Sequence, residues 1–126
     1  RREGNRATGP EGLLDLGDRL GAAEASQGRY QSAWAAYSRS LALEPTSGRA
    51  QNMGNCLMML GQAPAAVPYF QRAVQLNASS ADAWFSLGYG LFKARQVKAA
   101  VEALDEALRL QPGHPEASKL KEQILQ

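Results

Sequence analysis

Residues 82–92 read DAWFSLGYGLF, a stretch that combines four aromatic side chains with two glycines. The surrounding sequence is rich in alanine and leucine, which favours helix. A glycine inside a helix costs about 1 kcal/mol relative to alanine, so each glycine needs a reason in packing. We expect Gly88 to let a second helix approach closely, with Ala100 as the small residue facing it, whereas the pattern offers no reason for Gly90.

The glycine at position 88 belongs to a repeat that runs through the chain. Gly21, Gly54 and Gly88 are separated by 33 and then 34 residues. Other residues recur at the same offsets: Leu20, Met53 and Leu87; Ala33, Ala66 and Ala100; Tyr37, Phe70 and Leu104; Leu43, Leu76 and Leu110. A period of this length predicts stacked supersecondary units, each too small to bury its own apolar face.

Each unit is predicted to contain two helices. Gly28 and Gly61 suit the left-handed residue that ends a first helix. The second helices stop at segments with the sequences EPTSG, NASS and QPGHP, which contain the usual helix breakers. A last amphipathic segment starts at Pro115 and is predicted to cap the apolar face of the final unit.

The third unit carries a recognisable motif. It reads Trp84-x2-Leu87-Gly88-x2-Leu91, followed by Ala100-x3-Leu104 and a proline at 112. This resembles the tetratricopeptide repeat pattern W-x2-L-G-x2-Y…A-x3-F…P, with leucines where Tyr and Phe are usual. The first unit departs further, since Gly17 and Glu24 stand where Trp and Tyr are usual.

The resemblance implies an all-α fold, a right-handed superhelical stack of antiparallel helix pairs. It predicts three repeats and a C-terminal capping helix. The expected boundaries are a flexible N-terminal segment at 1–13, units at 14–46, 47–80 and 81–114, and a capping helix at 115–126.

The aromatic residues of the opening stretch fall on two faces of their helix. At about 100° per residue, Trp84 and Leu87 share the core face, whereas Phe85, Tyr89 and Phe92 lie on another. In the family that the chain resembles, first helices line a concave groove in which ligands lie. The resemblance therefore implies a partner-binding groove formed by Asn52, Asn55, Met58, Met59, Phe85, Tyr89, Phe92 and Lys93.

The residue types in this groove suit a peptide or helix of another protein. Asparagine amides both donate to and accept from a peptide backbone, exposed aromatic rings form hot spots, and methionines adapt to varied side chains. Packing against the capping helix or a further unit is the alternative explanation for the aromatic residues. Plain solvation is the alternative for Asn52 and Asn55.

One subclass of the family is disfavoured by residue type. Members that bind chaperone C-terminal carboxylates use a clamp of Lys/Asn, Asn and Lys/Arg over three units. Here only Asn52 fits, and Asp18 and Asp82 stand at first- and third-unit clamp positions. An acid where a base is needed argues against carboxylate capture.

Catalysis, cofactors and metals are not indicated by the sequence. The single histidine, His114, is expected to be a solvated turn residue, and the single cysteine, Cys56, a small packing residue. One Cys and one His cannot form a zinc site, and no phosphate-binding or nucleophile motif occurs. We therefore predict no enzyme activity and no cofactor.

Charge and hydropathy limit the classes of partner. The formal net charge is only +2, and Arg1, Arg2 and Arg6 form the one basic cluster, interpreted as a frayed tail rather than a nucleic-acid-binding arm. No apolar run reaches the ~20 residues of a membrane span, and no signal peptide is visible. The compartment stays open, with the cytoplasm favoured.

The leading functional prediction is a non-catalytic protein-interaction module that acts as an adaptor, chaperone or assembly factor. One alternative is a self-assembling scaffold, in which the partner is a second copy of the chain. The other is a non-catalytic segment of a larger secretion or assembly protein or enzyme.

Overall fold

The computed structural model describes residues 9–126, which form seven helices and no strand. The helices are α1 (Pro10–Ser26), α2 (Tyr30–Leu43), α3 (Ser47–Met59), α4 (Ala63–Leu76), α5 (Ala81–Lys93), α6 (Val97–Leu110) and α7 (Pro115–Leu125). Helices α1 and α2, α3 and α4, and α5 and α6 pack as pairs, each second helix packs on the next pair, and α7 packs on α6. The predicted all-α stack of helix pairs is confirmed.

The N-terminal boundary differs from the expectation. Helix α1 begins at Pro10, with Gly9 as its N-cap residue, which is four residues before the expected start of the first unit at residue 14. Proline is well suited to a first helical turn because its missing N–H has no partner there in any case. The cluster of Arg1, Arg2 and Arg6 lies outside the described residues.

The turn within each helix pair has the same backbone conformation. Gly28 and Gly61 have φ angles of 79° and 75°, which confirms the left-handed residues predicted there. The equivalent residue of the third pair is Arg95, with a φ of 69°. A side chain is strained in this region, so the third turn holds the same shape at a higher conformational free energy.

Two glycines of α5 leave room for side chains of neighbouring helices. A Cβ atom on Gly88 would lie 2.8 Å from Cδ2 of Leu104 and 3.3 Å from the carbonyl oxygen of Ala100, so α6 approaches as expected. A Cβ atom on Gly90 would lie 2.8 Å from Cδ2 of Phe70, which belongs to the preceding pair. Gly90 therefore has a packing role between pairs that the repeat pattern does not reveal.

The ring of Phe70 is held between two glycines. It is fully buried, and a Cβ atom on Gly54 would lie 2.5 Å from its Cε1 atom. One edge of the ring thus faces Gly54 in its own pair, and the other faces Gly90 in the next. This arrangement fixes α5 against α4 and so sets the position of the α5 residues in the groove.

Candidate functional site

Helices α3, α5 and α7 adjoin along one side of the stack. Between them lies a cavity of about 510 Å³, here called the C-terminal pocket. Helix α3 contributes Gln51 and Asn55, α5 contributes Asp82, Phe85, Ser86 and Tyr89, and α7 contributes Glu116. The Ser86 hydroxyl donates to Oε1 of Gln51 at 3.2 Å, which links the walls formed by α3 and α5.

Two further cavities extend this surface toward the N-terminal end of the stack. The middle pocket, about 200 Å³, is lined by Ala25, Tyr30, Tyr37, Asn52, Asn55, Cys56 and Met59. The N-terminal pocket, about 470 Å³, is lined by Asp18, Ala22, Tyr37, Glu44, Thr46, Gly48, Arg49 and Asn52. Asn55 is shared by the C-terminal and middle pockets, and Asn52 by the middle and N-terminal pockets. The three pockets together are called the groove below.

An ion pair occupies the N-terminal pocket. Nη2 of Arg49 lies 2.8 Å from Oδ2 of Asp18, and Nη1 donates to the carbonyl oxygen of Glu44 at 2.9 Å. Hydrogen bonding to Asp18 raises the pKa of Arg49 above its usual value. Asp18 is thus neutralised within the chain, and the pair ties α1 to α3.

The expected groove residues fall into two groups. Asn52, Asn55, Met59, Phe85 and Tyr89 line the groove, and Met59 and Tyr89 are 61% and 37% exposed. Met58 and Phe92 are half-buried against the core and line none of the three pockets. Lys93 belongs to this second group, because it also lines none of the three pockets. It is exposed, and its Nζ lies 5.7 Å from the centre of the Tyr89 ring.

Phe85 and Tyr89 of α5 form an aromatic wall on one side of the C-terminal pocket. The Phe85 and Tyr89 rings are stacked with centres 6.2 Å apart and planes inclined by 20°. The other neighbour of Phe85 is the imidazole of His114, at 5.4 Å between ring centres. Tyr89 is therefore the aromatic residue of this wall with the greatest surface available to a partner.

The expectation of a solvated His114 is wrong. The side chain is 2% exposed and serves as the N-cap of α7, since Nδ1 accepts the backbone N–H of Ala117 at 3.1 Å. Nε2 lies 2.7 Å from Oδ1 of Asp82. The position before Pro115 was the available signal, because a proline in the first turn makes its predecessor the N-cap. His114 thus anchors α7 to the start of α5.

Glu116 is a groove residue that sequence reasoning did not identify. It lies in the first turn of α7 and reaches the C-terminal pocket because α7 adjoins α5. The repeat pattern cannot place it, since α7 has no complete repeat from which a register could be taken.

Cys56 and the residue types that bind metals are the remaining groups to consider in the described region. Cys56 is buried, and burial raises the pKa of its thiol, consistent with a packing role. Residues 9–126 hold no group of three or more His, Cys, Asp or Glu side chains placed to bind a metal ion. Within the same residues, no helix has the length and apolar character needed to cross a membrane.

A separate apolar surface lies at the N-terminal end of the stack. It surrounds a cavity of about 390 Å³ and is called the leucine face; its main residues are Leu13, Leu16, Leu20 and Leu43. Leu20 is 43% exposed, whereas its repeat equivalents Met53 and Leu87 are buried. The difference arises because α3 and α5 are each covered by the second helix of the preceding pair, and nothing among the described residues covers α1 in this way.

Comparison with known proteins identifies the family of repeats to which the helix pairs are similar. A family model described as tetratricopeptide repeat matches residues 52–115, half of the chain. Among curated proteins, none matches the chain by sequence.

Several solved structures are similar to the whole stack. The second TPR domain of human RPAP3, solved in complex with the HSP70 peptide SGPTIEEVD, has a TM-score of 0.88 and 19% identity, with 94% of this chain and 99% of that chain covered. The first TPR domain of human RPAP3 gives a TM-score of 0.85 and 23% identity over 92% and 91% of the two chains. MamA from Desulfovibrio magneticus RS-1 gives 0.79 and 25% over 92% and 64%. These similarities confirm the predicted right-handed superhelical arrangement.

Proposed function

Because the chain belongs to the tetratricopeptide repeat family, we propose that it is a non-catalytic module whose groove binds an extended or helical segment of another protein. An adaptor, chaperone or assembly factor would use such a module. The fold alone does not specify this role, since function depends on the residues of the site.

The observation that carries the proposal is the placement of two asparagines where the pockets meet. Asn52 and Asn55 each line two of the three pockets. Within residues 9–126, neither side-chain amide is hydrogen-bonded to another residue. Each amide therefore keeps donors and an acceptor for a peptide backbone lying along the groove. Tyr89 and Met59 add exposed apolar surface on either side.

One of the similar solved structures supports binding of a protein segment without supplying its identity. The second TPR domain of human RPAP3 was solved with a peptide that ends in Glu-Glu-Val-Asp. In the present chain, Asp82 lines the C-terminal pocket, and the one arginine of the groove, Arg49, is already paired with Asp18. We propose a partner other than an acidic C-terminus of this kind.

Affinity capture with matched variants tests the proposal. The groove variant is Asn55→Ala/Tyr89→Ala, and the control is Gln71→Ala/Leu76→Ala, which removes one amide and one exposed apolar side chain from α4. Circular dichroism establishes that both variants are folded. A protein retained by wild type and by the control but lost by the groove variant supports the proposal, whereas equal retention by all three contradicts it.

Self-association is a second candidate function, which the leucine face favours. Single exposed leucines are ordinary, but four around one cavity form a patch of the kind that contacts a partner. If two copies meet there, Leu16→Glu should abolish a concentration-dependent dimer measured by light scattering. A monomer at every concentration would remove this candidate and leave the groove proposal unaffected.

A further inference from the structure

The C-terminal pocket holds two carboxylates and no cationic side chain in its lining. Asp82 lies in the first turn of α5 and Glu116 in the first turn of α7, and the other lining residues are polar or aromatic. Acids interact favourably with helix N-termini, which gives each a structural reason to be there.

Hydrogen bonding at His114 leaves the charge of Asp82 in place. Since Nδ1 accepts the backbone N–H of Ala117, the ring proton is on Nε2 and is donated to Oδ1 of Asp82. The imidazole is therefore neutral in this geometry. The Asp82 side chain is 78% exposed, so its second oxygen is available to a ligand.

Neither carboxylate is neutralised by the described part of the chain. Among residues 9–126, no lysine or arginine forms an ion pair with Asp82 or Glu116, in contrast to Asp18, which Arg49 pairs. The C-terminal pocket thus holds two carboxylates without a cationic partner, whereas in the N-terminal pocket Arg49 pairs with both Asp18 and Glu44.

The aromatic wall adds a second feature that attracts a cation. The faces of the stacked Phe85 and Tyr89 rings carry negative quadrupole density. The ammonium of Lys93 lies 5.7 Å from the centre of the Tyr89 ring, so this ring accommodates a cation, and a partner's cation would displace Lys93 from that face. A guanidinium suits such a site best, since it can contact a carboxylate through two N–H groups and stack on a ring at the same time.

We propose that the C-terminal pocket binds an arginine or lysine side chain of the partner segment, through Asp82, Glu116 and the Phe85–Tyr89 wall. This inference rests on the proposed function and gives the partner a chemistry: a basic residue next to apolar residues that occupy the remainder of the groove. The same charges repel segments rich in Asp and Glu.

Selection from a peptide library tests this specificity directly. The probe is a bead library of random short peptides with amidated C-termini, incubated with labelled protein. Asp82→Asn/Glu116→Gln removes both charges, and an Asn side-chain oxygen still accepts from His114. The matched control is Glu102→Gln/Glu122→Gln, which removes two exposed acids of α6 and α7 that line no part of the groove.

Wild type and the control are expected to select peptides with arginine or lysine at a fixed distance from an apolar residue. The charge-removed variant should lose that selection and bind the selected peptides about tenfold more weakly per carboxylate. Unchanged affinity in this variant, or selection of acidic or uncharged peptides by wild type, would overturn the inference.

A third variant, Asn55→Ala/Tyr89→Ala, separates this failure from failure of the groove itself. If the selected peptides lack basic residues but are lost by Asn55→Ala/Tyr89→Ala, groove binding stands and the charge preference is wrong. If wild type selects no peptide that this variant loses, both the proposed function and the inference are wrong.

Discussion

Replacing Gly90 by alanine tests how successive helix pairs are fitted together. In an open helix this substitution is stabilising by about 1 kcal/mol, because alanine has the higher helix propensity. Here the added Cβ would lie 2.8 Å and 3.0 Å from Cδ2 and Cε2 of Phe70, and 3.8 Å from Cγ2 of Val67. The favourable separation of carbon atoms is about 3.5–4.0 Å, so the ring must move by roughly 1 Å.

The ring has little space into which it can move. Phe70 is fully buried, and its opposite edge faces Gly54, where there is also no room for a methyl group. Overpacking of this kind costs about 1–3 kcal/mol, and a confined ring places the penalty in the upper part of that range. After subtraction of the helix-propensity gain, Gly90→Ala should lower the free energy of unfolding by about 1–2 kcal/mol.

Urea denaturation followed by circular dichroism measures this change. Gly48→Ala is the control, because a Cβ there would meet nothing within 4 Å, and it should leave stability unchanged or raise it. In a double-mutant cycle, Gly90→Ala should be less damaging in a Phe70→Leu background, where the smaller side chain leaves space. Equal stabilisation by Gly90→Ala and Gly48→Ala would refute the argument that Phe70 requires a glycine at position 90.

Three further predictions concern the turn at Arg95, the N-cap at His114 and the buried thiol of Cys56. Arg95→Gly should raise the free energy of unfolding by about 0.5–1 kcal/mol, because Arg95 has the positive φ that Gly61 adopts in the preceding pair. A lower stability of this variant in urea would count against backbone strain at Arg95. His114→Ala should lower the free energy of unfolding by about 1–2 kcal/mol and speed amide exchange in α7, since the N-cap and the hydrogen bond to Asp82 are both lost. His114→Asn should restore part of the protection, and identical exchange in wild type and both variants would show that the cap is unimportant. Burial raises the pKa of the Cys56 thiol, so it should react slowly with a disulfide reagent in the native protein and rapidly in denaturant, and fast reaction of the folded chain would contradict its buried position.

The fold could be predicted from the sequence because each unit marks its own limits. Glycines at the first two left-handed turns, and breakers after all three second helices, recur at intervals of 33 or 34 residues, which predicts the same helix pair in every unit. The role of Gly90 could not be predicted in this way. Its partner, Phe70, lies in the preceding pair, and a contact between pairs leaves no local pattern in either helix.

The residues of the groove could be predicted in part, because helical register is also a local pattern. Helical register predicted that Asn55 and Tyr89 share one side of the stack, and both line the C-terminal pocket there, since both lie on regular first helices. Register does not give burial, and Phe92 is half-buried because it packs on both apolar clusters of the core. Pro115 marks His114 as an N-cap residue, but the contact of His114 with Asp82 and the place of Glu116 in the pocket depend on the position of α7, which a sequence without a fourth repeat does not fix.

Site-specific photo-cross-linking is the measurement that tests the central claim most directly. Benzoylphenylalanine would replace Asn55 in the groove or, as the control, Gln71 on α4, and each protein would be irradiated in an extract of its source. The account predicts a discrete adduct with a segment of another protein from position 55 and none from position 71. Adducts from position 71 alone, or from position 55 only with a second copy of the chain, would contradict it.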